Sequence, residues 1–208
     1  IIRSRLVTEL RNFYNRHDYL EVETPRLQSV AGGATAQPFV THHEALNTDF
    51  FLTIAQELYL KQLLVGGYPR VYEIGRKFRN EGIDVTHNPE FTMLESQEAY
   101  ADAEKQRAFV EKMVREVIQK VCGTLRISYQ GSILDFEKPF SVFSFYGLLQ
   151  QYALIPFPEK ATREELLLAA KRLGAEAGEA FARDKILDAI YKKTVRPRLI
   201  QPTFIVDY

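Results

Sequence analysis

The sequence predicts an α+β fold in which a largely antiparallel sheet is flanked by helices. Three observations lead there. Apolar residues recur at helical spacing in some segments and alternate in others, and the two patterns mix without a regular strand–helix–strand order. Two strand-like runs, Arg70–Phe78 and residues 91–99, are joined by a polar connection over residues 79–90 rather than by a crossover helix. Finally, 46% apolar and 26% charged residues in a 208-residue chain provide for a packed core and exclude a disordered or collagen-like chain. At roughly 150 residues per domain, this is one large domain or one domain with a small appendage.

The elements follow in order. Residues 4–18 place Leu6, Val7, Leu10, Phe13 and Tyr14 on one helical face, with Arg11, Asn12, Asn15 and Arg16 opposite. Leu20-Glu-Val-Glu-Thr-Pro25 then alternates as a strand that Pro25 ends or marks as an edge. Gly32-Gly33 opens a loop, residues 50–54 form a strand, and the helix over residues 57–65 stops at Gly66-Gly67. After the two long strands, Asp102 caps a helix whose stripe runs through Phe109, Val110, Met113, Val114, Val117, Ile118 and Val121. A hairpin follows, residues 125–130 turning at Gly131 into residues 133–136. Ser144 caps a helix to Tyr152, Thr162-Arg-Glu-Glu165 forms a capping box before Leu166, Leu167, Ala170 and Leu173, and residues 185–194 are a further helix. Pro202-Thr-Phe-Ile-Val-Asp207 is a last strand.

Composition narrows the function classes. Twenty-seven basic residues balance 27 acidic ones, so no global basic excess points to a polyanion partner. No uncharged apolar run approaches the ~18 residues of a membrane span. The opening residues, with Arg3 and Arg5, are not a secretory signal, and a start at Ile1 reads as the middle of a longer chain. The single Cys122 excludes an internal disulfide and a Cys-based zinc site, in keeping with a reducing, cytoplasmic setting.

Chemistry concentrates in the polar connection, which is long for a hairpin and therefore a candidate for function. In Arg76-Lys-Phe-Arg79-Asn-Glu81-Gly, three cations fall within four positions, flanked by Glu73 and Glu81. Strand alternation puts Lys77 and Arg79 on one face and Arg76 on the other. An arginine at a strand end offers a planar fork to phosphate or carboxylate. Glu81 can accept from an exocyclic amine, His87 is a further donor, and Phe91 offers a ring face. On composition alone, the better reading of Glu73, Arg76, Lys77 and Glu81 is a solvated surface ion-pair network of little energetic weight. His42-His43 is not read as a metal pair, because neighbours on an extended segment face opposite ways. Lys61, on the helix over residues 57–65, reads as a solvated or snorkelling side chain.

Arg79-Asn-Glu81-Gly followed by His87-Asn-Pro-Glu90-Phe-Thr-Met-Leu-Glu95 resembles motif 2 of the class II aminoacyl-tRNA synthetases in its lysyl version. With each fixed letter at a background of about one in twenty, chance is a poor explanation. The helix over residues 3–18 with Leu20-Glu-Val-Glu-Thr-Pro25 resembles motif 1, the family's dimer element. Gly32-Gly33-Ala34 through His42-His43, then Ala55-Gln-Glu57-Leu-Tyr-Leu-Lys61, resembles the lysyl enzymes' amino-acid-binding segment. Ala99-Tyr-Ala-Asp102, Leu134-Asp-Phe-Glu-Lys-Pro-Phe140 and Leu199-Ile-Gln-Pro-Thr-Phe204 extend the likeness over nearly the whole chain.

The resemblance implies a truncated class II catalytic domain over residues 1–208: a motif 1 and motif 2 core in 1–140, a helical segment in 141–198, and the start of a returning core strand in 199–208. It implies that Arg79 is the catalytic residue, contacting the α-phosphate of ATP and the lysine carboxylate. Glu81 reads the adenine amino group, His87 reaches the outer phosphates and Phe91 stacks on adenine. Gly33 and Glu57 hold the substrate α-amino group, while Glu95 and Gln97 line the lysine pocket. Leu10, Phe13 and Pro25 belong to the dimer interface. ATP is a substrate, and Mg²⁺ is expected with ligands outside this segment. Lysine and tRNA are the further partners of a cytoplasmic homodimer without a membrane anchor. Two departures stand inside the motifs. Gln56 replaces a common proline, and Gln97 replaces an aromatic, typically tyrosine, which bears on lysine selectivity. The family's later carboxylates, its motif 3 arginine and its anticodon-binding barrel have no counterpart here, so the piece alone is expected to be inactive. The alternatives are a non-catalytic synthetase-like dimerisation or regulatory module, and a paralogue that lysylates a protein.

Overall fold

In the computed structural model, which describes residues 1–208, the chain divides into two units, Ile1–Gln106 and Arg107–Tyr208. Each is a mixture of helices and small sheets, in agreement with the predicted class. Antiparallel pairing dominates, with two short parallel exceptions.

The first unit opens with α1 (Ile2–Arg16), whose apolar stripe buries Phe13 and Tyr14. Tyr14 stacks on Tyr72 at a centroid separation of 4.7 Å. The helix stops where His17 Nδ1 meets the Phe13 carbonyl and Asp18 turns to a positive φ. The expected strand over residues 20–25 shortens to β1 (Leu20–Glu21), parallel to the first long strand. The cause lies in Thr24, whose backbone N–H and hydroxyl both donate to the Glu73 carboxylate instead of to a ladder, and in Pro25, which has no N–H to give. Two short strands escape the alternation signal, β2 (Leu27–Gln28) and β3 (Val40–His43). Both pair with β4 (Thr48–Leu52) in a separate antiparallel sheet.

Helix α2 (Glu57–Val65) has the expected bounds and ends at Gly66, with Gly67 at φ 98°. Next come β5 (Arg70–Phe78) and β6 (Glu90–Glu98), nine residues each and in register from Arg70 opposite Glu98 to Phe78 opposite Glu90. This ladder is the frame on which the candidate site is built.

The second unit holds most of α3 (Ala103–Cys122) and the hairpin of β7 (Arg126–Tyr129) and β8 (Ser132–Asp135). Gln130 and Gly131 both take positive φ in its two-residue turn. Strand β9 (Ser141–Ser144), absent from the sequence reading, runs parallel to β10 (Thr203–Val206). Helices α4 (Phe145–Ala153), α5 (Arg163–Leu173) and α6 (Arg183–Thr194) bury an apolar core that includes Leu148, Leu149, Leu166, Ile186, Leu187 and Ile190. Each such side chain contributes roughly 1.5–3 kcal/mol relative to exposure. Ser144 caps α4 and Thr162 caps α5 with a complete capping box, as the sequence indicates. No helix is long and apolar enough to cross a membrane.

Candidate active site

The β5–β6 hairpin arranges its side chains by parity. Glu73, Gly75 and Lys77 on β5 share a face with Phe91, Met93, Glu95 and Gln97 on β6, because directly opposed residues point the same way. Arg79 continues that parity just past the end of β5. The connection is pinned at its base: Arg79 N–H donates to the Pro89 carbonyl at 2.8 Å, and Asn80 N–H to the Gln37 carbonyl at 2.7 Å. At its tip, Asp84 accepts from the backbone N–H groups of Thr86 and His87 at 2.6 and 2.9 Å, and from the Thr86 hydroxyl at 2.8 Å. His87 Nδ1 lies 2.8 Å from the same carboxylate, which orients the imidazole ring. The Thr86 backbone N–H, then the Thr86 and His87 side chains, hold the Asp84 carboxyl well below the usual carboxylate range.

Between base and tip lies a cavity of about 250 Å³ lined by Arg79, Glu81, His87 and Phe91, together with Gly82, Thr86, Asn88 and Pro89. All four nucleotide-contacting residues expected from the sequence therefore meet around one space. The Arg79 guanidinium carbon lies 5.2 Å from the Phe91 ring centroid, and Arg79 Nε is buried with no hydrogen-bond partner. A buried unpaired donor is rare in a folded protein and marks a place where an acceptor belongs. A larger hollow of about 750 Å³ in the second unit is walled by Leu154, Ile155, Phe157 and Leu168, with Lys160, Glu165 and Arg172 also in its lining.

Behind this cavity the solvated-network reading of the charges is corrected. Glu73 and Lys77 are fully buried, and only Arg76, 3.4 Å from Glu90, forms an exposed pair of the kind composition suggested. Glu73 is ion-paired with Arg26 and accepts the Thr24 hydroxyl at 2.6 Å. Lys77 Nζ lies 3.7 Å from Glu73 Oε1, too long for a hydrogen bond. A Cβ on Gly75 would collide with the Arg26 guanidinium, so only glycine lets that cation lie across the strand. Gln56 is buried as well, its amide donating to the Glu73 carbonyl at 3.2 Å. This replacement of the family's proline thus ties the entry of α2 to β5. Burial pushes Glu95 up from the ordinary carboxylate value, Glu57 adds to the rise, and Lys77 opposes it.

The remaining candidates are placed as follows. Gly33, at φ 84°, brings the loop so close to α2 that a Cβ would sit 3.3 Å from Ala55 Cβ and 3.4 Å from Glu57 Cβ. Glu57 stands in the first turn of α2 and pairs with Lys61 at 2.5 Å, a surface contact one helical turn away. Gln97 is opposite Val71, two positions along the ligand face from Glu95. His42 bonds Asp49 at 2.9 Å, while His43 Nδ1 accepts the Leu46 N–H at 3.3 Å. Of the expected interface residues, Pro25 is exposed and Leu10 half-buried, but Phe13 is fully buried within its own unit and has no surface to offer a second chain. The residue the sequence reading passes over is Arg26, and what it misses of Glu73 and Lys77 is their burial. Parity had already placed Lys77 beside Arg79, but its burial depends on residues distant in sequence.

Comparison with known proteins agrees with this geometry. The family model described as tRNA synthetases class II (D, K and N) matches residues 1–208. Over 208 residues the chain is 46% identical to the lysine–tRNA ligase of Moorella thermoacetica and 44% identical to that of Carboxydothermus hydrogenoformans. It is 45% identical to the corresponding protein of Dehalococcoides mccartyi. In each case the whole of this chain is covered, yet it spans only 42%, 43% and 42% of those relatives. A match over every residue, with the motif 2 side chains gathered around one cavity, means that the chain belongs to the class II tRNA synthetases of the D, K and N group.

Proposed function

We propose that the protein to which this segment belongs is an ATP-dependent ligase that activates lysine as lysyl-adenylate and transfers it to tRNA. The observation that carries the reading is the cavity on which Arg79, Glu81, His87 and Phe91 converge, with Arg79 Nε buried and unpaired. Adenylate formation is an in-line displacement in which the lysine carboxylate attacks the α-phosphorus and pyrophosphate leaves. Such a reaction needs positioning and charge neutralisation more than covalent help. Arg79 bridges the two anions that must meet, His87 meets the outer phosphates, Glu81 accepts from the adenine amine, and Phe91 supports the ring. Stacking of adenine requires the Arg79 guanidinium to leave the Phe91 face, and the phosphate supplies the acceptor that draws it away. Gly33 and Glu57 receive the substrate α-amino group, and Glu95 with Gln97 the lysine side chain.

Mg²⁺ would accompany ATP, with ligands outside this segment, and no step here depends on it. Pairing with a second copy would use α1 and the residues after it, where Ile2 and Leu6 are exposed apolar side chains. Replacing Arg79→Ala in the full-length protein is expected to lower lysine-dependent ATP–pyrophosphate exchange by about a hundredfold or more, as for other preorganised charge donors. Unchanged exchange would remove Arg79 from the reaction and the nucleotide reading with it.

A further inference from the structure

Five buried polar atoms in the first unit have no hydrogen-bond partner: Gln56 Oε1, Glu73 Oε1, Lys77 Nζ, Arg79 Nε and Glu95 Oε2. Arg79 is accounted for by the nucleotide cavity. Glu73 Oε1 is ion-paired with Arg26, and Thr24 occupies Oε2, so this carboxylate is compensated without Lys77. Lys77 is thus a second cation beside a carboxylate that already has one. It is fully buried, offers three donors and satisfies none of them.

The carboxylate left over is Glu95. It stands directly opposite Glu73 on the neighbouring strand, on the face that Lys77 also occupies. Glu73 and Glu95 carry two negative charges, and Arg26 and Lys77 carry two positive ones. The other charged groups in the neighbourhood are already engaged. Glu57 at the start of α2 is paired with Lys61, and Arg79 past the end of β5 lies over the Phe91 ring.

We propose that Lys77 is a positioning residue of the amino-acid subsite, a built-in counter-ion to Glu95 until a substrate ammonium takes up that carboxylate. This deepens the lysine reading given above and rests on it. Burial drives Lys77 toward its neutral form while Glu73 opposes that, and burial with Glu57 drives Glu95 toward protonation while Lys77 opposes it. Neither group keeps its charge comfortably alone, and each supports the other. A substrate ε-ammonium then meets a carboxylate that needs no proton removed, and it gains as acceptor Glu95 Oε2, which has no hydrogen-bond partner in the chain.

The proposal has a proton-counting consequence. In Lys77→Met, which keeps the length and removes the charge, the empty pocket takes up a proton at Glu95, and lysine binding must release it to solvent. Calorimetric titration of the full-length protein with lysine near pH 7, in buffers of different ionisation enthalpy, counts that proton. The wild type is expected to release almost none, and Lys77→Met to approach about one, with lysine affinity improving as pH rises because the bound state holds fewer protons. The lysine KM in exchange should move more than kcat. A wild type that binds lysine, with a Lys77→Met variant that releases no proton, overturns the role of Lys77 and leaves the lysine reading standing. A folded wild type that does not bind lysine overturns that reading, and this inference with it. Should Lys77→Met fail to fold, the wild type alone decides: lysine affinity flat between pH 6 and 8 supports the proposal, and affinity lost toward pH 6 refutes it.

Discussion

The two units of this chain bury different things. Every buried polar side chain, Thr24, Gln28, Thr53, Gln56, Glu73 and Lys77, lies in Ile1–Gln106. The buried set of Arg107–Tyr208 is apolar, apart from the Tyr191 hydroxyl, and is carried by helices with clean stripes and caps. An apolar core requires only pattern and volume, whereas buried charges must each be matched or they destabilise. The first unit accepts that requirement where the candidate site lies. Four of its five unmatched atoms, on Glu73, Lys77, Arg79 and Glu95, sit on the hairpin face, and the fifth is on Gln56 at the entry of α2. The contrast therefore separates a part whose buried set is apolar from a part that leaves buried polar atoms unmatched.

The most direct way to break this contrast is to remove the carboxylate at its centre. Glu73→Ala leaves Arg26 and the fully buried Lys77 without their partner. Removing one member of a buried ionic group costs about 3–5 kcal/mol. Urea unfolding of the variant should show a loss of that size. A loss below about 1 kcal/mol would mean that these charges behave as a solvated surface set, and the distinction between the units would disappear.

A second test uses pH. Glu98, with a side chain only 5% exposed, accepts from Arg70 Nε at 2.8 Å, Lys105 Nζ at 2.9 Å, Gln106 Nε2 at 3.0 Å and the Tyr19 hydroxyl at 3.1 Å. Burial alone would raise this carboxyl, but the bonds from Lys105, Arg70 and Tyr19 outweigh it and hold the group below its ordinary value of 4.5. A depressed folded value means that the contribution is present above the unfolded pKa and is lost as pH falls through the folded one. Glu98→Gln should therefore cost about 1.5–3 kcal/mol at pH 7, the range for hydrogen bonds to a charged group. The difference from wild type should shrink on acidification below the ordinary carboxylate range. A difference that stays constant with pH would mean that packing, not charge, carries the contact.

The same contrast explains what was legible in the sequence. Helix α2, strand β5 and the caps of α4 and α5 were read with their bounds or their capping residues, because each depends on signals a few residues apart. Motif 2 was legible because its residues cluster within one connection, and strand parity alone aligned Lys77, Arg79 and Phe91. Lost were β2, β3 and β9, too short to show a period, and the inward turn of Phe13. Lost too was the burial of Glu73 and Lys77. Nothing local to Arg76-Lys-Phe-Arg79 indicates that Thr24, Arg26 and Gln56, about 20 to 50 residues earlier, fold over that face and exclude water.

The smallest expected effect sharpens the comparison from the other side. In the second unit the polar contact of interest is local. Thr162 Oγ1 accepts the Glu165 N–H at 3.2 Å, while the Glu165 carboxylate accepts the Thr162 N–H at 2.7 Å, only three residues along the chain. In the first unit the corresponding bonds to Glu98 reach across 79 and 28 residues. Thr162→Ala removes one arm of the capping box and should cost about 1 kcal/mol. It should appear as faster amide exchange in the first turn of α5, with the amides of β5 and β6 unaffected. Because a local cap reports on one helix end and a long-range carboxylate on a whole sheet, exchange that spread into β5 would show that the two units do not open independently.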